Sequence, residues 1–358
     1  MRTADFDFPL PQELIAQHPA PQRDQSRLLV FHRPDGALTH GRFSELPNHL
    51  ATGDVLVLND TRVIPARLHG TNARTGGAFE VLLLEENAPN DWWALVRPGK
   101  RAKVGAKIVL RRLDGQPSSI QAEVLDKGDG LRHRLRFAGT SDLVRALDDL
   151  GEMPLPPYIE RPAPNQTPED KDRYQTVFAT SAGSAAAPTA GLHFTTELLE
   201  KIRSKGVKVC FVTLHVGLGT FAPVRVQNLA EHVMHEEWFS LGEATASAIQ
   251  TAKKAGRRVV AVGTTTVRVL ESVAAQHDGE ILTAQGRTRI FIHPPYRFRV
   301  VDALVTNFHL PCSTLLMLVS AFAAPGETRG RETILNAYAE AVRERYRFFS
   351  YGDAMLIL

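Results

Sequence analysis

The sequence has little cysteine, no long apolar run and almost no net charge, and each shortage argues against a class of protein. Its two cysteines, Cys210 and Cys312, sit in apolar surroundings without metal-ligand spacing, so we expect buried, reduced thiols and a cytoplasmic protein. The longest apolar run, around 315–324, is far shorter than the roughly 20 residues that span a bilayer, which argues against a membrane partner. A net charge of +3 does not by itself indicate nucleic-acid binding, so the distribution of charge matters more than its sum.

Several catalytic signatures are missing as well. The chain has no G-x-S-x-G elbow for a hydrolytic serine, and the glycine–threonine junction at 263–265 lacks the spacing of a phosphate loop or a dinucleotide fingerprint. His232, His235 and Glu236 read His-x-x-His-Glu instead of the His-Glu-x-x-His of zinc proteases, with no obvious third ligand. We therefore expect no metal and no nucleotide cofactor, and a site that works by proton transfer and charge stabilisation.

Residues from about 67 to 150 predict a small antiparallel β-barrel. Short strand candidates separated by glycine-rich turns, a pattern typical of barrels and sandwiches, lie at 79–84, 92–96, 107–110, 120–125 and 133–137. A basic run without any acid among its members consists of Arg97, Lys100, Arg101, Lys103, Lys107, Arg111 and Arg112. Arg132, Arg134 and Arg136 alternate along one strand and therefore share a face. Such faces are often only solvated, but two basic clusters in one barrel also fit contact with a phosphate backbone.

The flanking segments, 1–66 and 151–358, predict a layered α/β domain into which the barrel is inserted near the N-terminus. Strand candidates lie at 28–32, 55–58, 207–214, 259–262 and 300–305. Helix candidates lie at 10–16, 195–204, 242–255, 263–275, 315–322 and 334–345, and a proline-rich return linker is expected at 151–164.

Polar residues directly follow three of these strands, at 59–61, 263–265 and 306–307. Two glycine-rich loops, 187–194 and 213–221, each place a histidine among threonines and glycines. Because α/β folds keep ligands at the carboxyl ends of strands, we expect all five segments to converge on one sheet edge. Each segment alone has a structural alternative, such as an Asx-turn that ends a strand or a histidine in the core.

Five longer motifs, four of which contain one of these segments, are LNDTRVIPARL at 58–68, AAPTAGLHF at 186–194, TLHVGLGTF at 213–221, TNFHLPCSTLLMLV at 306–319 and YRFFSYGDAM at 346–355. Together they resemble the S-adenosylmethionine:tRNA ribosyltransferase-isomerases of bacterial queuosine biosynthesis. The resemblance runs from Asp5 to nearly the last residue. It departs locally at Pro294-Pro295-Tyr296, where the family usually has Pro-Gly-Tyr.

The resemblance implies an α/β domain with an inserted β-barrel and an unusual use of S-adenosylmethionine. The ribosyl moiety would be transferred to 7-aminomethyl-7-deazaguanine at the wobble position of tRNA and isomerised. Epoxyqueuosine-tRNA would form, and adenine and methionine would be released. S-adenosylmethionine is then a co-substrate, no further cofactor is expected, and the anticodon loop of tRNA is the macromolecular partner. We expect the protein to act as a monomer.

Candidate residues for this chemistry come from these motifs and from other polar segments of the chain. His193 and His215 are the leading candidates for proton transfer, because imidazole titrates near neutral pH. Further catalytic candidates are Asp60, His235, Glu236 and Asp353, of which the last three, like His309, could equally hold loops. The predicted substrate-binding residues are Asn59, Thr61, Arg62, Thr189, Gly191, Gly217, Gly219, Thr220, Gly263, Thr264, Thr265, Arg268, Asn307 and His309. Residues 263–265 with Arg268 are expected to take the methionine carboxylate, and the predicted tRNA-binding residues are Arg97, Lys100, Arg101 and Lys103.

Two other functions remain open. A methyltransferase that acts on tRNA should show a glycine-rich loop after its first strand, and here a charged loop precedes that strand. A tRNA-binding protein without chemistry would leave the many glycine, threonine and histidine junctions unexplained.

Overall fold

The structure is a computed structural model that describes residues 1–128, 131–161, 168–217, 224 and 226–358. The chain divides into an α/β unit, formed by 1–61, 176–180 and 188–358, and a barrel unit, formed by 62–175 and 181–187. The barrel unit extends beyond the 67–150 segment expected from the sequence, because 62–66, 151–175 and 181–187 also group with it.

The strands within the described residues are β1 (Arg27–Phe31), β2 (Leu38–Arg42), β3 (Val55–Asn59), β4 (Thr61–Val63), β5 (Arg67–Asn72), β6 (Ala78–Ala88), β7 (Asp91–Arg97), β8 (Lys107–Arg111), β9 (Pro117–Lys127), β10 (Arg132–Ala138), β11 (Gly151–Glu152), β12 (Ser181–Ser184), β13 (Lys208–Leu214), β14 (Glu237–Leu241), β15 (Val259–Val262), β16 (Ala284–Thr288), β17 (Ala303–Asn307) and β18 (Ala354–Ile357). The α-helices are α1 (Leu143–Leu150), α2 (Pro168–Arg173), α3 (Thr196–Ser204), α4 (Glu243–Lys254), α5 (Thr264–Gln276), α6 (Thr314–Ala323) and α7 (Gly330–Arg343). No described helix has the length and apolar character needed to cross a membrane.

The described part of the α/β unit is built on a mixed sheet with the strand order β16-β14-β13-β3-β15-β17-β18-β1-β2. The central strands β13, β3, β15 and β17 are parallel, so their carboxyl ends meet at one edge. Strands β14 and β18 are antiparallel to their central neighbours, and β1 is parallel to β18. The amino ends of β14, β18 and β1 therefore reach the same edge.

Burial explains why these central strands read as apolar runs in the sequence. Every residue of β3, β15 and β17 is buried, as expected for parallel strands covered on both faces. One face packs against Leu198, Leu199 and Ile202 of α3. Helices α4 and α5 contact β13, β3 and β15. Thr195 caps α3, since its hydroxyl accepts a hydrogen bond from the Leu198 N–H.

The barrel unit closes six described antiparallel strands in the order β5-β6-β7-β10-β9-β8, with β8 pairing back to β5. Closure removes exposed strand edges, and alternate residues of each strand fill the interior. Helix α1 adds Leu143, Leu147 and Leu150 to this core. The predicted fold class, an α/β domain with an inserted antiparallel β-barrel, is confirmed.

Three local predictions differ from the structure. The predicted helix at 10–16 is only a 3-10 turn, Gln12–Leu14, because Ile15 already forms a bridge with Phe348. The predicted linker at 151–164 begins with β11, which pairs with β5. The strand predicted at 300–305 begins at Ala303, because the N–H groups of Val300 and Val301 donate to the buried carboxylate of Glu271.

The two cysteines are free thiols in different environments. Cys210 is buried, as predicted, whereas Cys312 is half-buried. Burial raises the pKa of both thiols, which keeps them in the unreactive protonated form at neutral pH.

Candidate active site

The polar junctions predicted from the sequence lie in a row along the carboxyl edge of the α/β sheet. Asn59 ends β3, His215 follows β13, Gly263 follows β15, and Asn307 ends β17. Adjacent strands are about 4.8 Å apart, so neighbouring junctions can contact one molecule. Ser26 precedes β1 at the same edge.

Asn59 joins three elements of this edge. Its Oδ1 accepts hydrogen bonds from the backbone N–H groups of Thr61 (3.1 Å) and Leu214 (3.0 Å). Its Nδ2 donates to the Leu214 carbonyl (3.0 Å) and to the Thr265 hydroxyl (3.2 Å). The side chain is buried and all its polar atoms are used, so Asn59 holds β3, β13 and α5 together.

His215 has one ring nitrogen engaged and one available. Its Nδ1 lies 2.8 Å from the hydroxyl of Thr61, and its ring stacks on Trp238 at a centroid distance of 4.9 Å and an angle of 19°. Nε2 has no hydrogen-bond partner among the described residues. Burial lowers the pKa of His215, and the charge of Asp60 opposes this shift. The imidazole is therefore predominantly neutral at pH 7 and can accept a proton.

Asp60 lies beside this histidine and is fixed by two threonines. Its Oδ1 accepts a hydrogen bond from the Thr213 hydroxyl (2.6 Å), and its Oδ2 accepts one from the Thr180 hydroxyl (2.9 Å). The carboxylate is thus an oriented charge near His215 that can stabilise an imidazolium ion.

His193 is buried with both ring nitrogens engaged. Nδ1 lies 2.7 Å from the Ser26 hydroxyl, and Nε2 lies 3.1 Å from Nδ2 of Asn307. Its ring stacks on Phe43, and burial lowers its pKa to about 4. Because Asn307 Nδ2 also donates to the Phe349 carbonyl, Nε2 is an acceptor and Nδ1 carries the proton. This geometry favours a holding role for His193 over the predicted role as base.

His309 and Asp353 also hold loops at this edge. His309 Nε2 lies 2.8 Å from the Thr306 hydroxyl, and burial lowers the pKa of His309 to about 3. Asp353 accepts hydrogen bonds from the backbone N–H groups of Arg27 (3.0 Å) and Arg347 (2.8 Å). It also accepts one from the Arg347 guanidinium at 3.2 Å, so both its oxygens are used inside the protein.

Three predicted residues are exposed instead of gathered into the row. His235 makes no hydrogen bond among the described residues, and Glu236 forms a surface ion pair with Arg289 at 2.5 Å. Arg62 is exposed on β4 and belongs to the barrel unit. Within the part of the chain that the structure describes, no group of three or more histidine, cysteine or carboxylate side chains could hold a metal ion.

The structure describes all of the glycine-rich loop at 187–194 but only part of the one at 213–221. Thr189 is half-buried on a 3-10 turn. Gly191 is buried, and a Cβ at this position would lie 2.9 Å from the Phe178 ring, so this glycine is required for packing. Gly219 and Thr220 lie outside the described residues.

The start of α5 forms the most polar buried part of the row. Gly263 has φ +85°, which glycine tolerates, and α5 begins at the buried Thr264 without a side-chain cap. One turn later, Nη1 of the buried Arg268 forms an ion pair with Glu237. Nε and Nη2 of Arg268 are buried without partners among the described residues. The other Glu237 oxygen accepts a hydrogen bond from the Gly217 N–H at 3.0 Å.

Glu237 is absent from the predicted site residues. The residues before it form the His-x-x-His-Glu pattern that was weighed as a possible metal site, and Glu236 is the last residue of that pattern. A usable signal in the sequence was the alternation of Glu237 with the apolar Phe239 and Leu241, because residues two apart share one face of a strand.

The basic residues of the barrel unit form two different groups. Arg97, Lys100, Arg101 and Lys103 are exposed and have no ion-pair partner among the described residues. In the second group, Arg134 and Arg136 both bind the buried carboxylate of Asp91, and Arg132 lies over the Trp93 ring at 4.7 Å. Asp91 therefore neutralises part of the basic face that β10 was expected to present.

Comparison with known proteins gives concordant results. The sequence model of the queuosine biosynthesis protein family matches residues 3–357. The chain is 51% identical over 358 residues, 100% of both chains, to the S-adenosylmethionine:tRNA ribosyltransferase-isomerase of Desulforamulus reducens. It is also similar to the crystal structure of an S-adenosylmethionine tRNA ribosyltransferase from Thermotoga maritima. That match has 39% identity and a TM-score of 0.54, and it covers 99% of this chain and 100% of the other.

We expect the rings of His193 and His309 to remain neutral well below the ordinary histidine pKa of about 6.5. Unfolding exposes both rings, so the unfolded chain binds more protons below about pH 6.5, and the free energy of unfolding should fall as the pH drops toward the folded pKa values. NMR of the histidine rings checks the folded state, with His193→Gln to assign its signals. A titration midpoint near 6.5 for either ring would contradict the buried, hydrogen-bonded arrangement.

Proposed function

The chain belongs to the family of queuosine biosynthesis proteins, and from that premise we propose that it transfers and isomerises the ribosyl moiety of S-adenosylmethionine onto tRNA. The acceptor is 7-aminomethyl-7-deazaguanine at the wobble position, and the product is epoxyqueuosine-tRNA. The full-length match to a ribosyltransferase-isomerase carries this proposal. It favours this reaction over methyl transfer or binding without chemistry.

The reaction makes specific demands on a site. The sulfonium acidifies the hydrogens on C5′ of the ribose, and a base removes one to give an ylide. Adenine then leaves, the aminomethyl nitrogen bonds to C1′, and ring closure with departure of methionine gives the epoxide. The protein must therefore supply a base near C5′, a proton for adenine and a grip on the methionine moiety.

His215 fits the role of base best among the histidines of the row. Thr61 fixes Nδ1, the Trp238 ring fixes the plane of the imidazole, and Nε2 has no partner among the described residues. Its lowered pKa keeps the imidazole neutral at neutral pH. In the tautomer in which Nδ1 donates to the Thr61 hydroxyl, Nε2 accepts the proton, and Asp60 stabilises the imidazolium that forms. His193, with both nitrogens engaged, holds the row in place.

The methionine carboxylate fits the start of α5. The first turn of a helix offers free N–H groups and the positive end of the helix dipole. Arg268 adds two buried donors that have no partner in the described part of the chain, and buried polar groups are nearly always paired in native proteins. A bound carboxylate would satisfy them.

The exposed basic group of the barrel unit fits contact with the tRNA backbone. Its charges are available because they are exposed and have no ion-pair partner among the described residues. When lysine and arginine side chains contact phosphates, the nucleic acid releases its bound counterions, and this release increases the affinity of the protein. With tRNA as acceptor, we expect the protein to act in the cytoplasm, and as a monomer.

The reaction itself is tested by product analysis. We expect S-adenosylmethionine and tRNA that carries 7-aminomethyl-7-deazaguanine to give free adenine, free methionine and the modified nucleoside in equal amounts. Mass spectrometry of the nucleosides and released molecules measures this. Release of S-adenosylhomocysteine would instead indicate methyl transfer, and binding without any product would indicate a non-catalytic protein.

Replacing His215 by alanine should lower kcat by about 10²- to 10⁴-fold, the usual contribution of a general base. Binding of S-adenosylmethionine, measured by calorimetry, should change little, because the carboxylate site at α5 remains. His277→Ala, at an exposed position after α5, is the control for removing an imidazole. Normal turnover by His215→Ala would refute the assignment.

Reversing the charges of Lys100 and Arg101 to glutamate should weaken tRNA binding and make the affinity less dependent on salt. Each lost phosphate contact should lower the slope of log Kd against log salt concentration by about one. Lys201→Glu with Arg203→Glu, exposed on α3, gives the same change in net charge as a control. Equal affinity and slope in the two double variants would exclude this barrel surface.

A further inference from the structure

Glu237 and Arg268 form a buried ion pair in which the arginine keeps donors without a partner among the described residues. Each side chain is 5% exposed. Glu237 uses one oxygen for Arg268 Nη1 and the other for the Gly217 N–H, at 3.0 Å. Arg268 uses Nη1 for Glu237, while Nε and Nη2 are without a partner in the described part of the chain. Both oxygens of the Glu237 carboxylate are therefore hydrogen-bonded. Only one of the three guanidinium nitrogens of Arg268 has a partner among the described residues.

The two unpaired nitrogens are the pair that binds carboxylates best. Nε and Nη2 lie on the same edge of the planar guanidinium group, so their N–H bonds are parallel and match the two oxygens of one carboxylate. Side chains on a helix lean toward its N-terminus, so Arg268 lies over the turn formed by Thr264 and Thr265. Helix geometry thus places the unpaired fork on the side of α5 that leads to the proposed methionine site.

A purely structural ion pair does not explain this arrangement. Burying two charges is costly, and structural pairs normally satisfy their remaining donors. Glu271, on the same helix as Arg268, provides the contrast. Its carboxylate accepts hydrogen bonds from Tyr296, Arg299, Val300 and Val301, and it holds their loop.

We propose that Glu237 is a positioning residue that fixes Arg268 so that its Nε–Nη2 fork selects a sulfonium donor bearing an α-carboxylate. The inference rests on the proposed function and concerns which donors that site accepts. Glu237 gives Arg268 a fixed hydrogen bond and a countercharge inside the protein. Without it the long arginine side chain regains rotamer freedom, and the fork no longer faces the carboxylate position.

Comparison of two donors tests this proposal. S-adenosylmethionine and decarboxylated S-adenosylmethionine differ only in the carboxylate, and kcat/KM is measured for each with the same tRNA. The wild-type protein should prefer the carboxylated donor by at least about 100-fold, since a site built to pair a polar group rejects a ligand lacking it. Glu237→Gln should reduce that ratio by about tenfold or more, and Arg268→Gln should bring it near one.

A loss of stability alone would not change the ratio. Glu271→Gln, a matched removal of a buried carboxylate from another position, should lower turnover of both donors equally. If the glutamine variant does not fold, Glu237→Asp replaces it, since aspartate keeps the charge on a shorter side chain. The ratio of kcat/KM between the two donors should then also fall. A threefold decrease is the smallest that supports the proposal.

The outcomes distinguish failure of the proposed function from failure of the role of Glu237. No ribosyl transfer by the wild-type protein from either donor would refute the proposed function. Transfer from both donors with equal kcat/KM would refute the carboxylate site at Arg268. Discrimination by the wild-type protein that persists unchanged in Glu237→Gln and Glu237→Asp would overturn the role of Glu237 alone.

Discussion

The arrangement of the candidate site depends on the side-chain amide of Asn59. Four hydrogen bonds from this one buried group join the end of β3 to the end of β13 and to the first turn of α5. His215 follows β13 directly, and Arg268 lies one turn into α5. The separation between the proposed base and the proposed carboxylate site is therefore set by an interaction inside the protein, before any substrate binds.

Hydrogen-bond satisfaction divides the polar residues of this edge into two groups. His193, His309 and Asp353 are bonded to protein groups, and burial holds the pKa of each of the two histidines far below the ordinary value. His215 and Arg268 retain nitrogens without partners among the described residues. The first group gives the edge rigidity, and the second provides groups that can act on a ligand. On our proposal, this division lets one edge contain several histidines of which only His215 acts on the substrate.

The basic residues of the barrel unit also divide into those paired inside the protein and those without an ion-pair partner among the described residues. Asp91 is buried and binds both Arg134 and Arg136, so these arginines stabilise the barrel wall. The basic residues around the Gly99–Arg101 turn form no ion pair within the described chain and are exposed to solvent. Counting basic residues in the sequence treats both groups alike. The electrostatic surface available to an RNA differs between them, because a paired charge gains little by meeting a phosphate.

The sequence by itself determined the fold class, the convergence of the junctions and the family. Apolar runs mark the buried parallel strands, alternation marks the barrel strands, and both patterns depend only on local periodicity. Long motifs around 58–68, 186–194 and 306–319 carry the resemblance. Only the tertiary structure distinguished His215 from His193 and revealed Glu237. Burial, tautomer and pairing depend on residues distant in the chain, such as Ser26 and Asn307 around His193, and no local pattern in the sequence encodes those contacts.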